Sequence, residues 1–323
     1  LPILTDKKEL PGASLKVTDE DGNTVDEWVS KEEAHIIKGL IVGKKYKMTE
    51  TKPADGYVTA ESIEFTVENT KEVQKHQMLD DVTKVEISKK DITDSSEVPG
   101  AKLIILDKDG KKVESWTSTD KPHMVEKLPV GKYTLREEQA PDGYLIAEDV
   151  KFTVKDTGKI QKVKMKDAHP YGKLVIKKTD STSKAALSGA EFELREKESG
   201  KVVEKLVTDK TGTATSGKIP IATYKNGKVE KTVEYILVET KAPNGYELSS
   251  KKEEIRFEYK DGKTKVIEIV KEIKNTKSPS GSTPTGNSPK TGDSTNIWLP
   301  ILLAVLSACG IGGVIWYKKK KGN

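Results

Sequence analysis

The chain has 323 residues, 34% hydrophobic and 33% charged, with a formal net charge of +5 at pH 7. Four of those positives form the terminal lysine run 318–321, so the rest is near neutral and nucleic-acid binding is not expected. The length suits two or three domains, and the single Cys309 excludes a disulfide within the chain. The chain begins at Leu1 without Met or a secretory leader, so its N-terminus is expected to be processed or incomplete.

Taken in order, the chain repeats itself three times. Each copy opens on a turn signal: Leu10-Pro11-Gly12-Ala13, Val98-Pro99-Gly100-Ala101 and Leu187-Ser188-Gly189-Ala190. A second stretch follows 40, 39 and 52 residues later, counted from the turn signal to a glutamate. It reads Tyr46, Met48, Glu50, Pro53, Gly56, Tyr57, then Tyr133, Leu135, Glu137, Pro141, Gly143, Tyr144, then Tyr235, Leu237, Glu239, Pro243, Gly245, Tyr246. Trp28 and Trp116 also match between the first two copies, and the extra length of the third is expected to be a hairpin around Asn226-Gly227. Short runs of alternating apolar and polar residues between frequent turn signals, with no helical period, predict an all-β chain of three tandem β-sandwich domains. Their expected bounds are 1–82, 83–169 and 170–276.

Beyond residue 276 the composition turns to Ser, Thr, Pro and Gly, predicting a disordered spacer over 277–287. Residues 297–317 carry no charge and have Trp298 and Trp316 near their ends, which predicts one C-terminal transmembrane helix. The basic tail 318–321 is expected on the cytoplasmic side. Between spacer and span lie Ser288, Pro289, Lys290, Thr291 and Gly292.

Side chains alternate between the faces of a strand. In each copy, therefore, the glutamate shares the apolar face of its strand. Lys89 continues the inward phase of Val85 and Ile87, and Lys178 that of Leu174 and Ile176. Val163, Met165 and Asp167 share a phase at the end of the second copy. Ile267, Ile269, Ile273 and Asn275 do so in the third, with Lys271 the misfit. In the first copy Met78 and Asp80 share a phase on the expected last strand. Two complete copies thus aim a lysine, a glutamate and an Asp or Asn into one core. Burying such groups unpaired costs several kcal/mol, about 3–5 for a broken buried pair. They form either a buried salt bridge or a covalent amide, in which a neutral lysine attacks the side-chain carbonyl and the acid shuttles protons.

The three copies resemble the B-type repeats of collagen adhesins and the related prealbumin-like domains of Gram-positive pilins, which implies three tandem immunoglobulin-like sandwich domains. The resemblance rests on the Glu…Ala-Pro-x-Gly-Tyr stretch at Glu137 to Tyr144 and Glu239 to Tyr246. Lys52-Pro53-Ala54 departs from it in the first copy. It implies isopeptide bonds Lys89–Asp167, promoted by Glu137, and Lys178–Asn275, promoted by Glu239. In the first copy Glu50 and Asp80 match, but Leu1 stands where the lysine is expected. Ser288, Pro289, Lys290, Thr291 and Gly292, followed by span and basic tail, resemble the Leu-Pro-x-Thr-Gly sorting signal of Gram-positive surface proteins, with Ser288 in place of Leu. That resemblance implies cleavage after Thr291 by a sortase, covalent attachment through Thr291 to peptidoglycan, a cell-wall location, and membrane contact only before sorting.

The reading is a wall-anchored, isopeptide-stabilised stalk in adhesion to host matrix or surfaces, and not a turnover enzyme. The alternative is a pilin subunit joined by a sortase to other subunits. A pilin should offer an acceptor lysine, and the chain has only His169-Pro170-Tyr171-Gly172-Lys173. His35, His76, His123 and His169 have no metal-ligand spacing, and no nucleophile set is evident, so no cofactor is expected.

Overall fold

A computed structural model describes residues 9–279, every regular element of which is a β-strand. Most of the spacer, the pentapeptide 288–292, the apolar span 297–317 and the basic tail lie outside the described residues.

The second domain is a two-sheet sandwich. Its strands are β5 (Lys84–Asp91), β6 (Lys102–Leu106), β7 (Lys112–Thr117), β8 (His123–Glu126), β9 (Gly131–Gln139), β10 (Val150–Val154) and β11 (Ile160–Asp167), preceded in the chain by the four of the first domain. One sheet runs β10-β9-β6-β7 and the other β11-β5-β8. Between them lie Val85, Ile87, Leu103, Ile105, Leu135, Val154 and Met165, the inward phase of each strand. Strands β5 and β11 are the first and last of the domain, and they pair in parallel.

The third domain repeats this plan with β12 (Tyr171–Asp180), β13 (Glu191–Glu196), β14 (Val202–Val207), β15 (Thr213–Thr215), β16 (Ile219–Pro220), β17 (Ala222–Lys225), β18 (Lys228–Thr232), β19 (Glu234–Lys241), β20 (Lys252–Arg256) and β21 (Val266–Asn275). The sheet β14-β13-β19-β20 faces one in which β12 is flanked by β15 and β16 on one side and by β21, in parallel, on the other. The extra hairpin β17–β18 turns at Asn226 and Gly227, whose φ of 52° and 69° give the positive values that a tight hairpin turn demands. Lys271, the misfit on β21, is half-buried and reaches out of the core to Glu253, 3.7 Å away. A lysine can keep its stem in the apolar phase while its ammonium leaves it.

The first domain differs. Its described strands, β1 (Ser14–Thr18), β2 (Thr24–Val29), β3 (Lys45–Lys52) and β4 (Ile63–Thr66), form a single sheet of order β2-β1-β3-β4. Its inner face, with Val17, Tyr46 and Met48, is covered by Ile37, Leu40, Val67 and Met78 from irregular segments. The last strand expected through Met78 and Asp80 is not formed. Residues 78–80 are irregular, and only the bridge Tyr57↔Val82 lies nearby. The reason is the ladder: a last strand is held in the other domains by parallel pairing to a first strand, and no first strand of this domain occurs among the described residues.

Candidate cross-link sites

The parallel register explains how a lysine meets its partner. Lys89 lies opposite Met165 and Asp91 opposite Asp167, so Asp167 is two residues beyond Lys89 on the same face. Lys178 lies opposite Ile273 and Asp180 opposite Asn275, the same offset. Diagonal neighbours on one sheet face are about 7–8 Å apart. A four-carbon stem spans that gap, which is why a lysine serves here. The glutamate arrives from the opposite sheet, on β9 or β19, so each triad crosses the core.

Lys89 Nζ contacts Asp167 Oδ1 and lies 2.9 Å from Glu137 Oε2. Lys178 Nζ contacts Asn275 Oδ1 and lies 3.0 Å from Glu239 Oε1. Lys89 is 2% exposed and Lys178 fully buried. Asn275 donates from Nδ2 to Glu239 Oε1 at 2.9 Å, so the acid touches both the lysine and the amide. Each glutamate also accepts a backbone N–H ten residues on: Glu137 through the same Oε2 that faces Lys89, from Ala147 N at 2.6 Å, and Glu239 through its other oxygen, Oε2, from Ser249 N at 2.8 Å. That bond fixes the carboxyl plane.

Burial pushes the Lys178 ammonium pKa down, toward the neutral amine. Burial, reinforced by the neighbouring Glu137 and opposed by Lys89, pushes the Asp167 carboxyl up to about 7. Glu137 Oε1 and Asp167 Oδ2 have no hydrogen-bond donor among the described residues. In the third domain the equivalent contact is the Asn275 amide donating to Glu239. One proton shared between Asp167 and Glu137 would therefore satisfy both orphan oxygens and reproduce the amide's bond.

In the first domain Glu50 is buried and accepts from Ala60 N at 2.5 Å, again ten residues on. Burial raises its pKa, with Asp80 beside it adding to the shift, and burial raises that of Asp80 as well. Among the described residues no lysine pairs with either. Of the pentapeptide's residues, Ser288 to Gly292, the described structure contains none.

Sequence reasoning missed a second set of partners. Tyr144 donates to Asp91 Oδ2 at 2.8 Å, and Tyr246 to Asp180 Oδ2 at 2.9 Å. His169 Nε2 also lies 2.8 Å from Asp91 Oδ2 and stacks on Tyr224 of the β17–β18 hairpin, ring centroids 3.5 Å apart. Tyr224 in turn donates to Gly143 O at 2.8 Å, so the third domain grips the Gly-Tyr turn of the second. The sequence signal was there: Asp91 and Asp180 each continue the phase of a buried lysine by one more step.

The architecture is thus that of tandem all-β modules, each complete one joining first strand, last strand and opposite sheet through a buried lysine, acid and Asp or Asn. The family described as SpaA: Prealbumin-like fold domain matches residues 4–81, 83–169 and 172–273, and the chain belongs to it. Domains of this family are structural rather than enzymatic. Among solved structures, the Bacillus anthracis TIE protein is 29% identical with a TM-score of 0.52, over 84% of this chain and 49% of that one. The chain therefore spans about half the length of that protein. BcpA, the major pilin subunit of Bacillus cereus, is 18% identical with a TM-score of 0.43, over 85% of this chain and 97% of that one. No curated protein matches the chain.

Proposed function

We propose that the chain is the stalk of a pilin-like Gram-positive surface protein whose second and third domains are each closed by an internal amide, Lys89–Asp167 and Lys178–Asn275. The observation that carries the reading is the repetition of the same buried triad, in the same register, in two domains of different sequence. As a salt bridge such a triad is expensive to bury; as an amide it holds no net charge on the lysine.

The chemistry balances within the triad. The neutral Lys178 amine attacks Cγ of Asn275, forming a C–N bond, while Glu239 hydrogen-bonds the amide and carries a proton from the lysine nitrogen to Nδ2. The Cγ–Nδ2 bond then breaks and ammonia leaves. At Asp167 the same path, with Glu137 as shuttle, releases water. Each bond forms once, so this is maturation and not turnover.

The mechanical consequence follows from the strand order. Force entering at the start of β12 runs along that strand to Lys178, crosses to Asn275 and leaves the domain at the end of β21. Strands β13 to β20 then carry no load. This suits a stalk under shear, with a ligand or adhesive contact supplied elsewhere.

The order of the C-terminal parts supports anchoring by a sortase at Thr291, with peptidoglycan as the covalent partner and the cell wall as location. The test is muramidase release of cell walls followed by electrophoresis and mass spectrometry. Thr291 joined to a wall peptide, in a monomeric species, is the expected result. A ladder of covalent multimers would replace the stalk reading by the pilin-subunit one, and a free C-terminus beyond Thr291 would refute sortase processing.

A further inference from the structure

Each complete domain has a buried aspartate two residues past its lysine, outside the triad. Asp91 and Asp180 do three things at once. First, each closes a turn at the end of the lysine-bearing strand: Asp91 Oδ1 accepts from Thr93 N at 2.7 Å, and Asp180 Oδ1 from Thr182 N at 2.8 Å and Ser183 N at 2.7 Å. Secondly, that turn aims the next backbone N–H at the last strand. Ile92 N donates to Asp167 O at 3.0 Å, and Ser181 N to Asn275 O at 2.9 Å. Those carbonyls belong to the two residues whose side chains are to be attacked. Thirdly, the other carboxyl oxygen accepts from Tyr144 or Tyr246, seven residues beyond Glu137 or Glu239 on the same segment.

We infer that Asp91–Tyr144 and Asp180–Tyr246 are positioning pairs for amide formation, each tying together the three segments that carry the nucleophile, the electrophile and the proton shuttle. The inference rests on the cross-link reading above. Without the clamp the strand ends are free to fray, since the lysine and its partner both lie within two residues of their strands' C-terminal ends. Hydrogen bonds from Thr93, Tyr144 and His169 outweigh the effect of burial and hold Asp91 at about 2. Asp180 is held at about 2 by the N–H groups of Ser183 and Thr182 and by Tyr246. Both are therefore fixed acceptors rather than proton donors.

The test follows the third domain, whose clamp involves no histidine. The whole chain is made by cell-free synthesis as the parent and as the Asp180→Ala, Asp180→Asn and Tyr246→Phe variants. Samples quenched over time are digested, and the Lys178–Asn275 cross-linked peptide is quantified. A displacement of about 1 Å in reacting groups can cost about 100-fold in rate. Asp180→Ala and Tyr246→Phe are expected to slow bond formation by about ten- to a hundredfold, with far-ultraviolet circular dichroism unchanged. Asp180→Asn keeps one oxygen for the turn N–H groups and an Nδ2 that can donate to the Tyr246 hydroxyl oxygen, so the pair is held with its bond reversed and most of the parent rate is expected to return. A merely structural aspartate would lower the melting temperature but leave the rate alone. Should Asp180→Ala fail to fold, Tyr246→Phe decides, because it removes one hydroxyl and keeps the ring. Variants that form the bond at the parent rate overturn this inference alone; a parent chain that never forms it overturns the cross-link reading as well.

Discussion

Replacing Lys178 with Met removes the amine and keeps the apolar stem. Glu239 and Asn275 remain hydrogen-bonded to each other at 2.9 Å, and only Asn275 Oδ1 loses a donor. What is lost is the closure of a segment 97 residues long. By the loop-entropy relation for cross-links, a loop of about 100 residues restricts the unfolded chain by about 5 kcal/mol. For a domain of this size each kcal/mol moves the melting temperature by roughly 4–8 °C, so the third domain should melt roughly 20–40 °C lower. The assay is differential scanning calorimetry of the whole chain, where the third domain's transition should move away from the second's. A shift of only a few degrees would refute the reasoning, because it would mean that residues 178 and 275 are not covalently joined in the parent.

Bond formation in the second domain should slow as pH rises through about 7, because ionised Asp167 is a poor electrophile and its pKa is raised to about that value. The third domain has an amide there, so its rate should hold or rise with pH as Lys178 loses its proton; parallel profiles for the two bonds would contradict this. Glu137→Ala and Glu239→Ala should each abolish the bond of their own domain only, read as retention of one water or one ammonia by mass spectrometry. Tyr224→Ala removes the stack on His169 and the bond to Gly143 O. It should speed amide hydrogen exchange at residues 140–146 and leave both bonds intact, whereas unchanged exchange would mean that the hairpin does not grip the second domain.

The period-two phase of single strands is local information, and it placed Lys89, Lys178, Glu137, Glu239, Asp167 and Asn275 on the core faces where the structure has them. The diagonal offset between lysine and partner was not legible, since it is a property of parallel register between segments some 80 to 100 residues apart. The pairing of Asp91 and Asp180 with tyrosines was not legible, because Tyr144 and Tyr246 lie 53 and 66 residues away. The Gly-Tyr stretch marked a repeat but hid its use. Gly143 has a φ of 89°, and a methyl group there would meet Val229 of the neighbouring hairpin at 2.2 Å. A glycine in that turn thus serves the turn and the docking of the next domain together. The last strand expected through Met78 and Asp80 failed for the opposite reason: its local phase was right for a strand, but no ladder partner occurs among the described residues.

The central claim is covalent, and intact mass of the purified chain tests it most directly. The account predicts a mass below that of the unmodified sequence by one water and one ammonia, with tandem spectra joining Lys89 to Asp167 and Lys178 to Asn275. A mass equal to that of the unmodified sequence would leave the two triads as buried polar contacts and contradict the account.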